Sequence, residues 1–351
     1  MLFHKVKKDL VLSSMKTLLK IQKDFKKKFG VDDIFGNSKV FEIVIANRLG
    51  HILIPGHSGS RDVKDNDGNI YEYKHFKESS SNHSWTFNDY SKMIFNKMSE
   101  ENYSIIFAHM DDTNGLPRKD FNQHKPKIIK YPELDWFYQI PGILMSEYLS
   151  EKTEKIVNAR KMINVSCRQI ETYFDKQCNY KKYPSVNFED GLYSNDLILI
   201  FNVIKHLENE TKVVNLLTSN KIWELITSVH LNHNVNPEQG GRRGAHDAYD
   251  EENNQYEYKI SKSKSWNFQD ISEEVLRKYE SVEEFILATK NVDTLSIDKI
   301  YCCNKELINK IRLKMKKKEE KFQKEGRTLR RRQISLTKSD IAPYITREIS
   351  A

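Results

Sequence analysis

The sequence predicts an α/β (α+β) architecture: two tandem copies of a mixed β-sheet flanked by helices. Three observations predict it. First, the thirteen residues from Asp62 to Lys74 align without gaps on Asp247 to Lys259, with seven identities, where random composition gives about one. Second, the similarity continues in order on both sides. Asp9-Leu-Val-Leu matches Asp196-Leu-Ile-Leu, Lys39-Val-Phe-Glu42 matches Lys221-Ile-Trp-Glu224, His51 falls opposite His233, and Trp85-Thr-Phe-Asn-Asp matches Trp266-Asn-Phe-Gln-Asp. The offset between these pairs stays between 181 and 187, as a tandem duplication with loop insertions and deletions requires. Arg168-Gln-Ile170 and Arg332-Gln-Ile334 extend the series near the two ends. Third, both copies run through the same alternation of helix-like and strand-like patterns, which is what helices packed on a mixed sheet need.

In chain order, each copy opens with a helix, from about Asp9 to Phe29 and from Asp196 to Glu208. A second helix carries Glu42 or Glu224, since Val40, Phe41, Val44 and Ile45 recur at helical spacing. A hairpin follows. Its first version turns through Asp65-Asn-Asp-Gly-Asn69, a strong turn signal, and its second through the weaker Asp250-Glu-Glu-Asn-Asn254. Next come a helix after the Trp-x-Phe-x-Asp segment, strands such as Tyr103–Ala108 and Lys299–Cys303, a late helix, and an Arg-Gln-Ile strand. Periodicity breaks between Tyr183 and Asn195, at Tyr-Pro-Ser and Asp-Gly, so the repeats are expected at 1–185 and 186–351.

Lys and Arg number 57 against 49 Asp and Glu, a formal charge of +8 that favours a polyanionic partner. The four cysteines form no CxxC pair and two are adjacent, so neither a zinc site nor a disulfide framework is expected, and a reducing cytoplasm fits. The Lys-rich N-terminus is not a secretory signal. The longest strongly apolar run, 197–201, is far short of the ~20 residues that span a bilayer, so no membrane partner is expected. There is no Walker loop, nucleophile elbow or dinucleotide fingerprint.

The hairpins carry the chemistry. Centred on Asp67, the first sets Asp62 opposite Glu72, with Cβ atoms about 5 Å apart on one face. Lys74, two residues on, shares that face, whereas Tyr71 and Tyr73 point to the other. The second hairpin repeats the set as Asp247, Glu257 and Lys259. Two facing carboxylates suit a hard divalent cation such as magnesium, which keeps several waters and shares a phosphate as a ligand. The lysine would orient or deprotonate a water, or stabilise charge on the phosphate. Glu42 and Glu224 are candidate additional acids. Calcium binding of the EF-hand type is excluded: aligning Gly68 on the loop glycine puts Val63 and Lys74 at ligand positions, and the second copy has no glycine there.

These residues, Glu42…Asp62-x9-Glu72-Tyr-Lys74 and Glu224…Asp247-x9-Glu257-Tyr-Lys259, resemble the PD-(D/E)xK nuclease superfamily. The resemblance covers about residues 38–91 and 220–272. Where that family has a proline before the first aspartate, this chain has Arg61 and His246. The resemblance implies a restriction-endonuclease-like fold and magnesium-dependent hydrolysis of double-stranded DNA, with manganese as a substitute. Among members, a type II restriction endonuclease is most similar in size and character, which implies a cognate DNA methyltransferase acting on the same site. A duplicated chain then acts as a pseudo-dimer, one site per strand. Competing expectations are a repair or recombination nuclease that recognises DNA structure, and a catalytically silent DNA-binding module.

Candidate DNA contacts are Arg61, Lys77, Lys262 and Lys264 around the hairpins, and Arg242 and Arg243 in the glycine-rich Gln239–Gly244. Arg330, Arg331 and Arg332 end a basic stretch, 305–332, with thirteen Lys or Arg against four Glu. Trp85, Trp266, His51 and His233 are expected in structural roles.

Overall fold

A computed structural model describes residues 2–36, 38–55, 61–80, 82–87, 96, 98–100, 103–112, 131–154, 163–174, 178–183, 191–218, 220–236, 246–326, 329 and 332–351. Arg242, Arg243, Arg330, Arg331 and the glycine-rich segment lie outside the described residues.

The chain folds as two compact units, one holding residues 21–205 and the other holding 206–351 together with the first twenty residues. The unit boundaries fall inside helices α1 (Leu2–Phe29) and α5 (Ser194–Thr211). The leading helix of each repeat therefore begins in the unit that holds the body of the other repeat. In one unit, Lys7 of α1 donates to the Asn234 side chain at 3.2 Å. In the other, Asn47 accepts from the Tyr193 amide at 2.7 Å and donates to Ser194 at 3.1 Å, anchoring the start of α5.

In the first repeat α2 (Lys39–Leu49) precedes β1 (Ile52–Leu53), β2 (Val63–Lys64), β3 (Ile70–Lys77), β4 (Trp85–Phe87), β5 (Ser104–Asp111) and β6 (Glu133–Pro141). Then come α3 (Gly142–Glu154), β7 (Ile163–Val165), α4 (Cys167–Phe174) and β8 (Asn179–Lys182). The second repeat follows with α6 (Lys221–Leu231), β9 (Asn234–Val235), β10 (Ala248–Tyr249), β11 (Gln255–Ser261), β12 (Ser265–Phe268), α7 (Glu273–Glu280), β13 (Glu284–Asn291) and β14 (Ser296–Asn304). It ends in α8 (Leu307–Lys324), β15 (Ile334–Thr337), α9 (Lys338–Ile341) and β16 (Ile345–Ser350).

The two sheets have one topology. The first runs β1-β2-β3-β5-β6-β8 and the second β9-β10-β11-β13-β14-β16, each with six strands. Among the described residues only the β3–β5 and β11–β13 pairs are parallel; the other pairs in the two sheets are antiparallel, so both sheets are mixed as expected. Small ribbons, β4–β7 and β12–β15, lie beside them. Trp85 and Trp266 join ribbon to sheet: each is fully buried, and their indole N–H groups donate to the carbonyls of Ala108 (3.0 Å) and Ala288 (2.9 Å). One correction concerns Arg168-Gln-Ile170. It lies in helix α4, whereas Ile334 opens strand β15, and the strand equivalent to β15 is Ile163–Val165. A three-residue match is too short to fix register.

Local physics repeats along with topology. Helix α2 stops at Gly50 (φ 71°) and α6 at Asn232 (φ 57°), left-handed conformations that glycine and asparagine tolerate best. His51 and His233, next in each chain, bond the Tyr73 and Tyr258 hydroxyls (2.8 and 2.9 Å) and stack on Tyr71 and Tyr256. Both hairpin turns are built on an aspartate. Asp65 accepts from the amides of Asp67 and Asn69, the Asn69 side chain and the Tyr71 hydroxyl, all at 2.8–3.0 Å. Asp250 accepts the same four bonds from Glu252, Asn254 and Tyr256. Gly68 (φ 86°) and Asn253 (φ 65°) take the same left-handed position. The turn therefore survives the loss of its glycine.

Asp65→Ala removes four acceptor bonds and should lower stability by about 1–2 kcal/mol. Burial works against the Asp65 carboxylate, but these bonds hold its pKa at about 2, below the ordinary 3.8. The stabilisation is present above pH 3.8 and is lost as pH falls through about 2. Acid-unfolding curves of wild type and Asp65→Ala should converge in that window; parallel curves would contradict this role.

Candidate functional site

The β2–β3 register pairs Val63 with Tyr71 and Lys64 with Ile70, and one further step sets Asp62 opposite Glu72. The β10–β11 register pairs Ala248 with Tyr256, which sets Asp247 opposite Glu257. The predicted facing of the two acids is therefore observed in both repeats. Each aspartate is pinned by the strand it faces: the Tyr73 amide donates to Asp62 Oδ2 at 2.7 Å and the Tyr258 amide to Asp247 Oδ2 at 2.8 Å. Tyr71, Tyr73, Tyr256 and Tyr258 are buried.

Lys74 Nζ donates to Glu72 Oε1, and Lys259 Nζ to Glu257 Oε1 at 2.6 Å. Lys259 also lies 4.0 Å from Asp247 Oδ2. Aromatic rings support both ammoniums: Phe87 is 5.6 Å from Lys74, and Phe268 and Tyr279 are 5.7 and 5.9 Å from Lys259. The second repeat opens here into a cleft of ≈ 550 Å³, lined by Glu224, Asp247, Glu257, Lys259, Lys278 and Tyr279 among others.

The helix acids join these clusters. α2 brings Glu42 to within ion-pair reach of Lys39 (2.6 Å), which also reaches Asp62 Oδ1 at 3.4 Å. α6 brings Glu224 to Lys221 at 2.9 Å. The two helix lysines escaped the sequence reading as site residues, although both stand in the matched Lys-x-x-Glu segments. His246 and Lys278 were also missed. They approach Glu257 Oε2 at 3.7 and 3.4 Å. Lys97, the sequence counterpart of Lys278, lies outside the described residues.

Burial and mutual repulsion dominate the electrostatics. Burial, then the Asp62 charge, pushes the Glu42 carboxyl up to about 8. Burial raises Glu72 to about 7, with Lys74 opposing. In the second repeat burial, then Glu257 and Glu224, raises Asp247 to about 7. Glu257 goes the other way: against its burial, Lys259, His246 and Lys278 hold it well below the carboxylate range. Burial alone would lower Lys74 and Lys259, but Glu72 and Glu257 lead the neighbours that raise both.

This donor set fits a hard cation. Glu72 Oε2 is buried and meets no hydrogen-bond donor among the described residues. Among the described residues no three Asp, Glu, His or Cys side chains form a metal cage on their own. Two carboxylates with water and phosphate completing the shell is the arrangement magnesium accepts, so Asp62 with Glu72, and Asp247 with Glu257, are the residues that would hold it.

The proposed DNA-contact residues differ in their engagement. Arg61 is exposed and lines a cavity of ≈ 450 Å³ with Lys28 and Lys64. Lys262 and Lys264 are exposed in the turn after β11. Lys77 is mostly buried, 3.7 Å from Asp112 and 4.9 Å from the Phe41 ring centre. Arg332 donates through Nε to the Ile271 carbonyl and pairs with Glu319 at 2.7 Å. No helix among the described residues is long and apolar enough to cross a membrane.

Glu42, Glu72 and Asp247 titrate above their ordinary values, so the folded chain holds protons that the unfolded chain releases. In EDTA, stability should fall as pH rises from about 6.5 to 8; below that window the lowered His51, His75 and His230 oppose the trend, and the depressed Glu257 acts lower still. Glu42→Gln should flatten the slope, read by thermal melts at several pH values. Identical slopes in wild type and Glu42→Gln would remove the electrostatic account. Compared with known proteins, the chain matches no protein-family model and no curated protein.

Proposed function

We propose that the chain is a magnesium-dependent endonuclease that hydrolyses phosphodiester bonds in double-stranded DNA, with one site per repeat and one strand cut by each. One observation carries this reading: an acid pair, a lysine and a helix acid recur in equivalent positions in both repeats, although the three central residues of the turn between the acids have changed. Surface ion pairs are worth too little, about 0–1 kcal/mol, to hold so many ionised side chains out of water twice over. A bound magnesium ion would neutralise the acid pair and polarise a phosphodiester oxygen.

The chain's own residues supply the rest. Asp62 and Glu72, or Asp247 and Glu257, would hold that cation beside the scissile phosphate. Lys74 and Lys259 remain protonated beside their glutamates. This favours a role as donors to a phosphate oxygen over a role as bases. Phe87, Phe268 and Tyr279 support those ammoniums and limit water around them. Arg61, Lys262 and Lys264 are exposed cations near the strands that carry the acids, suited to phosphate contact. Type II restriction is the specific form proposed, with manganese replacing magnesium and a methyltransferase protecting the host site.

On supercoiled plasmid with magnesium, wild type should give linear product with discrete ends on sequencing. Lys74→Ala and Lys259→Ala should each stop at nicked circles, with second-strand cutting slowed about 100-fold or more. The double variant should be inactive. Wild-type linearisation by either single variant would refute the one-strand-per-repeat scheme, and inactivity of wild type with magnesium and manganese would refute the nuclease.

A further inference from the structure

Each cluster contains a second lysine outside the acid–acid–lysine pattern. Lys39 and Lys221 open helices α2 and α6, three residues before Glu42 and Glu224. At that spacing lysine and glutamate share a helix face. Lys39 is 5% exposed. A charge removed from water to that extent is costly unless it is well paired. Lys39 is paired twice, with Glu42 Oε2 at 2.6 Å and Asp62 Oδ1 at 3.4 Å. Lys221 pairs with Glu224 Oε2 at 2.9 Å.

Four of the six carboxylate oxygens in the first cluster face an ammonium or a backbone amide. Lys39 takes Glu42 Oε2 and Asp62 Oδ1, the Tyr73 amide takes Asp62 Oδ2, and Lys74 takes Glu72 Oε1. Glu72 Oε2 is buried and meets no hydrogen-bond donor among the described residues. Charge gives the same picture. Fully ionised, Glu42, Asp62 and Glu72 with Lys39 and Lys74 sum to −1, and Glu224, Asp247 and Glu257 with Lys221, Lys259 and Lys278 sum to 0. One divalent cation turns these to +1 and +2. A second would raise them to +3 and +4 and would have to displace the helix ammonium from its glutamate.

We propose that Lys39 and Lys221 are built-in counter-cations that stand where a second metal ion would bind, so that each repeat takes a single divalent cation between its aspartate and strand glutamate. They are positioning residues: both hold the helix glutamate away from the metal, and Lys39 also holds Asp62 in place. The inference rests on the nuclease reading for the presence of a metal, and adds the number of ions and the residues that set it.

The test is a titration of the full chain with Mn²⁺, without DNA, following free ion by electron paramagnetic resonance. Wild type should bind two Mn²⁺ tightly. Lys39→Gln and Lys221→Gln should each bind three, and the double variant four. Adding Glu42→Gln to Lys39→Gln should restore two. Lys221, whose side chain is 14% exposed, tolerates substitution better than Lys39, and the wild-type count needs no variant. Four ions in wild type, or two in both lysine variants, would overturn the inference and leave the nuclease reading intact. No binding by wild type would overturn both.

Discussion

Crowding one buried and two largely buried carboxylates together on one side of a sheet is the constraint around which each repeat is arranged. Glu42, Asp62 and Glu72 come from a helix and two strands, and their counterparts Glu224, Asp247 and Glu257 come from the same elements. Out of water, like charges this close raise one another's proton affinity. Each cluster is compensated by ammoniums on both sides and by a strand amide donating to the aspartate. Folding alone would not select so costly a group. A cation and a phosphate arriving together would relieve the repulsion, which connects the energetics to the proposed chemistry.

Duplication separates the residues that build the hairpin from those that build the cluster. Asp65, Asn69 and Tyr71 recur as Asp250, Asn254 and Tyr256 because the turn is one hydrogen-bonded unit. Tyr73 and Tyr258 recur because each lies under the sheet against a histidine. What remains of the seven identities is Asp62, Glu72 and Lys74 with their partners. These three have no such packing role, and they meet one another. The copies are not electrostatically equal: Glu257 is crowded by His246 and Lys278, so the excess proton affinity in the second repeat sits on Asp247.

The repeat, the mixed sheets with flanking helices, and the facing of Asp62 with Glu72 were legible in the amino-acid sequence. Strand period and turn chemistry are local, and local rules set which face a side chain takes. Arg168-Gln-Ile170 shows where such reading fails, since a short match carries no register and the segment is helical. Lys77 and Arg332 show a second limit. Both read as open cations, yet one lies against Asp112 and Phe41 and the other against Ile271 and Glu319.

By itself the sequence determined the duplication and the acid, acid and lysine set on each hairpin, because two-residue alternation and a fixed turn leave no other face for them. Tertiary structure decided that the helix Lys-x-x-Glu packs against that face, that three acids share one buried space, and which of them holds its proton. Those outcomes depend on how residues about twenty positions apart are brought together and how much water is excluded between them. Packing sets both, and no local pattern encodes either.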